Sequence, residues 1–326
     1  MTKIGLFFGG ISSETEISIK SAKNIIKHFD HKKYTLVLIY RHKNGLFYTI
    51  KNINKLNEKK ILHIHDFKKT FDIALPITHG KYGEDGTLQS IFTIQNIKYC
   101  GCHVLSSALC MDKSLIKLFF EGHNIPQTKF INIDFQLMSN TEIENQIQKV
   151  KQTLSLPLYI KPSNSGSSIG ITKVTKYEQL NKAIQEAKKY DQKVLIEEGL
   201  VSPKEIEVGI IGNKKLIVSE PGELILSKDF YDYDDKYKNN QTLIRIPAKI
   251  EETQQKKIQN LAKKVYKLCG CSGFARVDFF ISNKKIFLNE INTLPGFTDI
   301  SMFPMLMNHC GLSYTQLINR IISLAY

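Results

Sequence analysis

Residues 274–302 carry the side chains best suited to catalysis or metal binding. Two stretches of this region alternate between apolar and polar side chains. This period of two predicts a pair of β-strands joined by the polar turn Ser282–Lys285. The polar side chains with useful chemistry are Arg276, Asp278, Glu290 and Asn292. Two carboxylates and an amide oxygen from adjacent strands would suit Mg²⁺, which prefers hard oxygen ligands. A hairpin with a solvated acidic face is the alternative interpretation.

The metal interpretation makes a demand on the register of this hairpin. Asp278 must lie opposite Glu290, and Arg276 opposite Asn292, because opposed residues of an antiparallel pair share a face. A regular turn of two residues would place Glu290 on the other face, opposite Val277. We therefore expect a turn with an odd number of residues, or a β-bulge.

A rigid turn, Asn292–Thr298, follows the second strand and carries Pro295 and Gly296. The Gly296 N–H is expected to point into the same site, beside the Arg276 guanidinium. Such donors stabilise charge that develops on a transferred phosphoryl or acyl group. Paired strands followed by this turn resemble the metal-binding end of ATP-grasp ligases. The amino-acid sequence of this region is similar to that of the D-alanine–D-alanine ligase family.

The bulk properties indicate a soluble globular protein with two or three packed units. The 326 residues are 42% apolar and carry a net charge of +14. The lysines are scattered through turns and helix backs, so we interpret the charge as a solvated surface and expect no nucleic-acid partner. No apolar run approaches the ~20 residues needed to span a bilayer, and no secretion signal is expected, so the cytoplasm is the expected compartment.

Six cysteines lie at positions 100, 102, 110, 269, 271 and 310. Two C-x-C pairs allow a zinc site, but their spacing differs from the C-x₂-C of zinc ribbons. We favour buried free thiols.

The elements that must position the hairpin begin with an α/β pattern. Strand Lys3–Phe8 runs through two glycines into a helix ending near Lys27, for which Ser13 and Glu16 fit a capping box. G-x-G-x-x-G is absent, so NAD binding is not expected. Two more strands are predicted at 34–40 and 72–76, and the tight loop His79–Gly86 follows the last of them, where open α/β sheets bind ligands.

A second unit is predicted after a helix that Ser106 or Ser107 caps and that runs to about Glu121. Strands are predicted at 130–133, 158–161 and 194–200, and helices at 141–154 and 177–189. The loop Lys161–Gly170 is rich in glycine and serine and can hold phosphate oxygens with backbone amides and hydroxyls. A flexible linker is the alternative. Beyond it, strands at 205–211 and 243–246 and helices at 252–268 and 313–325 are expected.

Seven motifs in order carry the resemblance to D-alanine–D-alanine ligases over nearly the whole chain. They read GGxSxExExS, HGxxGEDG, MDK, KPxxxGSSxG, FYDYxxKY, ARVDFF and NEINTLPGFT. The resemblance implies an α/β protein of mixed α+β type, with an amino-terminal open α/β domain before an ATP-grasp fold. The implied domains are residues 1–113, a central lid at 114–198 and a catalytic domain at 199–326.

The resemblance also implies an activity: ATP-dependent joining of two D-alanines through an acyl phosphate, for peptidoglycan precursors. The expected partners are ATP, D-alanine and two Mg²⁺ ions, with Mn²⁺ as a substitute, and the expected assembly is a homodimer without membrane contact. A ligase using D-serine or D-lactate is the alternative within the class. A basic nucleic-acid binder without catalysis is the alternative outside it.

Site residues follow from the same resemblance. The implied catalytic residues are Glu14, Ser167, Tyr237, Arg276, Gly296 and Ser301. The implied substrate-binding residues are His79, Lys236, Ser301 and Met302. The implied ATP-binding residues are Lys113, Lys161, Ser168, Glu197, Leu200 and Glu205. The implied metal ligands are Asp278, Glu290 and Asn292. Tyr237 is expected to close onto Ser167, which in turn reaches Glu14.

Overall fold

The structure is a computed structural model that describes residues 1–166, 169–225 and 243–325. Its strands form three sheets that follow one another along the chain. This arrangement agrees with the expected mixed α/β class.

The first sheet has the strand order β4-β3-β2-β1-β5-β6. Its strands are β1 (Thr2–Gly9), β2 (Tyr34–Arg41), β3 (Phe47–Ile50), β4 (Lys59–Leu62), β5 (Ile73–Pro76) and β6 (Lys98–Tyr99). The pairs β1–β2, β1–β5 and β5–β6 are parallel, while β3 and β4 add an antiparallel edge that the sequence analysis missed. The helices are α1 (Thr15–Lys27), α2 (Phe67–Thr70), α3 (Thr87–Ile94), α4 (Val104–Met111) and α5 (Lys113–Gly122). A short 3₁₀ turn covers Ile64–Asp66.

The second sheet has the antiparallel order β7-β10-β8-β9. Its strands are β7 (Phe130–Asp134), β8 (Leu158–Pro162), β9 (Thr172–Val174) and β10 (Lys193–Glu198). Helices α6 (Asn140–Thr153) and α7 (Leu180–Lys188), the latter preceded by a 3₁₀ turn at Tyr177–Gln179, supply its apolar cover. The glycine- and serine-rich loop joins β8 to β9, so it lies between neighbouring strands.

The third sheet runs β14-β13-β11-β15-β16, with β12 paired to β11. Its strands are β11 (Lys204–Ile211), β12 (Ile217–Val218), β13 (Gly222–Ile225), β14 (Leu243–Arg245), β15 (Phe274–Ser282) and β16 (Lys285–Asn292). Helices α8 (Glu252–Leu268), α9 (Met302–His309) and α10 (Tyr314–Ser323) complete the chain. Helix α8 packs on one face together with apolar residues of α5. Helices α9 and α10 pack instead with β1 and α1 of the first sheet in one shared core.

The hairpin β15–β16 has the register that the metal interpretation requires. Asp278 pairs with Glu290 and Arg276 with Asn292, which confirms that prediction. The turn holds only Asn283 and Lys284, both with positive φ, and a bulge between Asp278 and Phe279 corrects the register. The bulge therefore brings the polar residues of both strands to one face.

Two predicted helix caps are wrong. The first helix begins at Thr15 with Glu14 at the N-cap and no side-chain cap, so Ser13 lies too early for a capping box with Glu16. The second helix is broken at Asp112 into α4 and α5. His103, not Ser106 or Ser107, is the N-cap of α4, because that helix begins at Val104 and both serines lie buried inside it. The sequence pattern did not reveal the break, since apolar residues continue on both sides of it.

Asp112 begins the new helix α5 because its carboxylate accepts the N–H groups of Ser114 and Leu115. This cap fixes the direction in which Lys113 leaves the helix. It is therefore part of the apparatus that positions the site.

The cysteines are free thiols. Those at 100, 102, 110 and 269 are buried, as expected, whereas Cys271 is half-buried and Cys310 is exposed. Across the described residues, no group of three or more His, Cys, Asp or Glu is arranged to hold a metal ion. No helix in the described ranges is long and apolar enough to cross a membrane.

Candidate active site

A cleft of about 590 Å³ lies where the three sheets meet. Sequence-predicted residues that line it are Glu14, His79, Lys113, Lys161, Glu197, Leu200, Glu205, Arg276, Glu290, Asn292 and Gly296. A smaller cavity of about 160 Å³ adjoins it and is lined by Asp278, Ser301 and Met302. The two cavities share Arg276 and Glu290 in their walls. Residues far apart in the chain thus converge on one concave, polar region.

Glu14 lies at the start of α1 with its carboxylate among backbone atoms of two distant loops. A Cβ added to Gly80 would lie 2.7 Å from the Glu14 Oε2 atom, and one added to Gly166 would lie 2.5 Å from it. Only glycine permits so close an approach. The first domain, the histidine loop and the glycine- and serine-rich loop therefore meet at this buried carboxylate.

His79 is buried and held in one tautomer by its neighbours. The Nδ1 atom lies 3.2 Å from the carbonyl oxygen of Leu294, so Nδ1 carries a proton and donates it. The Nε2 atom lies 3.3 Å from Ser21 Oγ and can accept its proton. Burial lowers the pKa of His79 and so favours the neutral form, although the negative charge of Glu14 acts in the opposite direction. The neutral ring links α1 to the turn that carries Gly296.

Glu84, in the HGxxGEDG loop, is a cleft residue to which the sequence analysis assigned no role. Burial raises its pKa well above the usual value, and the neighbouring negative charge of Glu14 raises it further. The Gly80 N–H and the charge of Lys113 oppose this rise without cancelling it. The cleft thus contains a carboxyl group that takes up a proton more readily than an ordinary glutamate.

Arg276 is held by two carboxylates. Its Nε and Nη2 atoms donate to the two oxygens of Asp278 at 2.8 and 2.7 Å. Its Nε atom also lies 2.7 Å from Glu207 Oε2, on the neighbouring strand β11. Asn292 donates its amide N–H to Asp278 at 2.8 Å, so its carbonyl oxygen is the end of that side chain that can act as a metal ligand. The guanidinium is fixed at the junction of the two cavities.

Lys113 leads from α5 into the cleft. Its Nζ atom donates to the carbonyl oxygen of Ser165 at 2.7 Å and lies 3.7 Å from Glu290 Oε2. The base of α5 is attached to the same loop, since the Ser163 hydroxyl contacts Asp112 and accepts the Ser114 N–H at 3.0 Å. The loop after β8 and the lysine at the start of α5 are therefore placed together.

Lys161 and Glu197 are diagonal neighbours on one face of the paired strands β8 and β10, where Lys161 pairs with Leu195 and Glu197 with Tyr159. Lys161 Nζ lies 2.6 Å from Glu197 Oε2, and Lys117 Nζ lies 2.6 Å from Glu197 Oε1. Burial alone would raise the pKa of Glu197, but the two lysines hold it well below the usual range. Glu197 is therefore an anion flanked by two cations at the wall of the cleft.

Gly296 and Ser301 lie close together where the turn after β16 enters helix α9. A Cβ on Gly296 would lie 2.8 Å from Ser301 Oγ, so this position has no room for a side chain. Ser301 is the N-cap residue of α9, and its hydroxyl accepts the Thr298 N–H at 3.0 Å. A helix N-terminus favours a negatively charged group. The smaller cavity thus offers a place for a carboxylate.

Four sequence-predicted site residues, Ser167, Ser168, Lys236 and Tyr237, lie outside the described residues. The expected contact from Tyr237 to Ser167 and on to Glu14 therefore stays a prediction.

Sequence reasoning missed three residues with close contacts at the site: Glu84, Lys117 and Glu207. Glu207 shares a face with Glu205 on its strand and pairs with Asp278, so alternation would have revealed it once the strand order was known. Lys117 lies four residues after Lys113 on α5, a spacing that places both on one helix face. The signal for Glu207 depends on a strand pairing that the sequence alone did not supply, whereas the helical spacing of Lys117 can be read from the sequence but does not reveal its partner Glu197.

Comparison with known proteins places the chain in a family. Its residues 3–102 match the family model described as "D-ala D-ala ligase N-terminus", and residues 119–323 match "D-ala D-ala ligase C-terminus". The D-alanine–D-alanine ligase of Caldicellulosiruptor bescii is 41% identical, with 99% of this chain and 94% of that protein covered. The D-alanine–D-alanine ligase B of Clostridium tetani is also 41% identical, with 99% and 93% covered.

Solved structures agree with these relatives. The VanG D-Ala:D-Ser ligase from Enterococcus faecalis has a TM-score of 0.88 at 34% identity, with 99% of both chains covered. The D-alanine–D-alanine ligase from Coxiella burnetii has a TM-score of 0.85 at 31% identity, with 99% of this chain and 95% of that chain covered. The chain belongs to the D-alanine–D-alanine ligase family, and its fold is the ATP-grasp fold of these ligases.

Proposed function

We propose that this protein joins two D-alanine molecules into D-alanyl-D-alanine at the expense of ATP, in the synthesis of cell-wall precursors. The carboxylate of the first D-alanine attacks the γ-phosphorus of ATP, and ADP leaves. The amine of the second D-alanine attacks the resulting acyl phosphate, loses a proton, and expels phosphate. The oxygen that bridged carbon and phosphorus departs with the phosphate.

The observation that carries this proposal is the register of the β15–β16 hairpin. The bulge places Arg276, Asp278, Glu290 and Asn292 on one face, at the junction of the two cavities. A face with a fixed guanidinium, two carboxylates and an amide oxygen suits phosphoryl transfer, where catalysis rests on positioning and on offsetting charge.

The other residues of the cleft have roles that their positions support. Lys113 and Lys161 offset the negative charge of the ATP phosphates, while Leu200 and Glu205 contact the nucleoside. Glu14 binds the ammonium group of the first D-alanine. Neutral His79 orients that substrate. Arg276 and the Gly296 N–H stabilise the oxyanion, and loss of one such donor typically costs ~10²–10³ in rate.

Mg²⁺ fits the donor set of this face. Asp278 and Glu290 are two carboxylates, the number that Mg²⁺ commonly takes from a protein in phosphate chemistry, and the Asn292 carbonyl oxygen completes a set of hard ligands. Bound there, the ion would offset charge on the phosphates of ATP. Asp278 would share its oxygens between the ion and Arg276. We propose two Mg²⁺ ions, which Mn²⁺ can replace.

The second substrate is assigned to the smaller cavity. Ser301 and Met302 begin helix α9 there, and the N-terminus of that helix is suited to the substrate carboxylate. D-Serine is the alternative second substrate, because one similar solved structure carries the name of a D-Ala:D-Ser ligase. The two acceptors differ by one hydroxyl group, a difference that binding pockets resolve weakly unless a partner is placed for it.

A coupled assay of ADP release tests the proposal. The purified protein is incubated with ATP, Mg²⁺ and either D-alanine alone or D-alanine with D-serine or D-lactate, and the products are identified by mass. We expect D-alanyl-D-alanine as the main product. ADP release that does not depend on D-alanine would contradict the proposal, and a D-alanyl-D-serine product in excess would favour the alternative.

Membership of the family also suggests an assembly state and a cellular location. We propose a homodimer, which light scattering of the purified protein would test. We propose a cytoplasmic location, which fractionation of the source cells would test.

A further inference from the structure

Lys117 is a buried cation that does not line the cleft. It lies on α5, only 3% exposed, with its Nζ atom 2.6 Å from Glu197 Oε1 and 3.5 Å from Thr128 Oγ1. The Thr128 hydroxyl also contacts Glu197. Burial lowers the pKa of Lys117, while the charge of Glu197 opposes that effect. Lys117 is thus bound to one oxygen of a carboxylate that lines the cleft.

Lys161 holds the other oxygen of that carboxylate. Its Nζ atom lies 2.6 Å from Glu197 Oε2, and unlike Lys117 it lines the cleft. The three side chains carry one negative and two positive charges. A single carboxylate can offset only one of the two lysines, and buried Lys117 has the greater need of a counter-charge because it has no access to water or ligand.

We propose that Lys117 is a positioning residue for nucleotide binding: it offsets the charge of Glu197 and so leaves the positive charge of Lys161 available to the phosphates of ATP. This inference rests on the proposed function, in which ATP occupies the cleft. Without Lys117, Glu197 would pair with Lys161 alone and compete with the phosphates for it. The effect is specific to phosphates, because the nucleoside carries no charge for Lys161 to offset.

Binding of ATP, ADP and adenosine to the full-length protein, measured by calorimetry with Mg²⁺ present, tests this role. For Lys117→Met, which keeps the aliphatic volume, we expect the Kd for ATP and for ADP to rise about tenfold, or roughly 1.4 kcal/mol. The Kd for adenosine should change less than twofold. In the double variant Lys117→Met/Glu197→Gln the carboxylate paired with Lys161 is gone, so the ratio of the Kd for adenosine to the Kd for ATP, which cancels any contact of Glu197 with the nucleoside, should return to within about threefold of that of the starting protein.

Lys129→Met is the matched control, because Lys129 is exposed next to Thr128 and should leave all three affinities unchanged. Lys117→Gln replaces the methionine variant if that one does not fold, with the same expected results. Equal losses for ATP and adenosine, or no recovery in the double variant, would show that Lys117 only supports the fold and would overturn the inference. If the unmodified protein binds adenosine but neither ATP nor ADP, the proposed function fails and this inference fails with it.

Discussion

At the scale of single residues, the site depends on carboxylates in unlike surroundings. Glu197 is kept ionised by two lysines, Glu84 is driven toward its protonated form by burial, and Asp278 is bound on both oxygens by Arg276. Environment, more than residue type, therefore decides what each carboxylate can do. Substitutions at Glu290 and Glu84 test two of the carboxylates of the site.

We expect Glu290→Gln to abolish turnover and leave the fold intact. The Lys113–Glu290 pair is long, at 3.7 Å, and partly exposed, so its loss should cost at most about 1 kcal/mol of stability. The missing charge should matter most when metal and phosphates are bound. Turnover and apo melting temperature are measured beside Glu121→Gln, an exposed control. A large fall in apo melting temperature with activity retained would show that Glu290 is structural.

Compared with the unmodified chain, the apo Glu84→Gln variant should have a larger advantage in stability at high pH than at low pH. A carboxyl group with a raised folded pKa stabilises the protein below its usual value of 4.5, and this stability is lost as pH rises through the folded pKa. The variant lacks that loss. Melting temperatures between pH 4.5 and 8 should therefore diverge, with the variant higher at pH 8. A difference that does not change with pH would contradict the raised pKa of Glu84.

At the scale of elements, the β15–β16 hairpin shows how far the sequence can be read. Alternation identified both strands, and the requirement for a shared face predicted either an odd turn or a bulge. The structure has the bulge, because Asn283 and Lys284 form a turn of two residues. The sequence does not distinguish an odd-numbered turn from a bulge, since the residues of the turn and those of the strands can each adopt the backbone conformation required.

Other elements were harder to predict for a physical reason. The break at Asp112 lies inside a continuous run of helix-forming residues, and only the capping of α5 by the Asp112 carboxylate marks it. Strand β3 is a run of only four residues, and β4 begins at two lysines in a stretch rich in lysine and asparagine, so neither has a strong strand pattern. In the sequence, Lys117 cannot be distinguished from an ordinary helical lysine. Its contact with Glu197 follows only from the position of β10. Long-range pairing decided these cases, and local pattern does not contain it.

The hairpin turn offers a test by stability. Lys284 has a φ of +63°, a conformation that costs a side-chain-bearing residue about 1 kcal/mol relative to glycine. We expect Lys284→Gly, which creates the Asn-Gly pair favoured in such turns, to raise the urea midpoint. Activity should not change, since the turn lies far along the strands from Asp278. Lys285→Gly, within the strand, should lower the midpoint; equal effects of both variants would contradict this account of the turn.

We propose that Lys236 and Tyr237, in the segment Phe230–Tyr237, set the choice of second substrate. We expect Tyr237→Phe to lower the ratio of D-alanine to D-lactate use, because an amine and a hydroxyl are distinguished by charge and hydrogen bonding more than by volume. Rates with each acceptor are compared with those of Tyr231→Phe, a control in the same segment. An unchanged ratio would remove Tyr237 from the account of specificity.

At the scale of the whole molecule, the cleft exists only because three sheets meet. Glu14 comes from the first, Lys161 and Glu197 from the second, and Arg276 and Glu290 from the third. The shared core of α1, β1, α9 and α10 attaches the first sheet to the third. The second sheet has an apolar core of its own and contacts the rest through the loop after β8 and helix α5. The domain boundaries at 113 and 198 stay predictions.

The central claim is that the carboxylate of D-alanine is activated by phosphoryl transfer from ATP. D-Alanine labelled with ¹⁸O in its carboxylate, incubated with ATP, Mg²⁺ and the purified protein, tests it most directly when the released phosphate is analysed by mass. The account predicts one ¹⁸O atom in each phosphate formed with the dipeptide, because the oxygen that bridges carbon and phosphorus leaves with phosphorus. Unlabelled phosphate released alongside labelled D-alanine would contradict it.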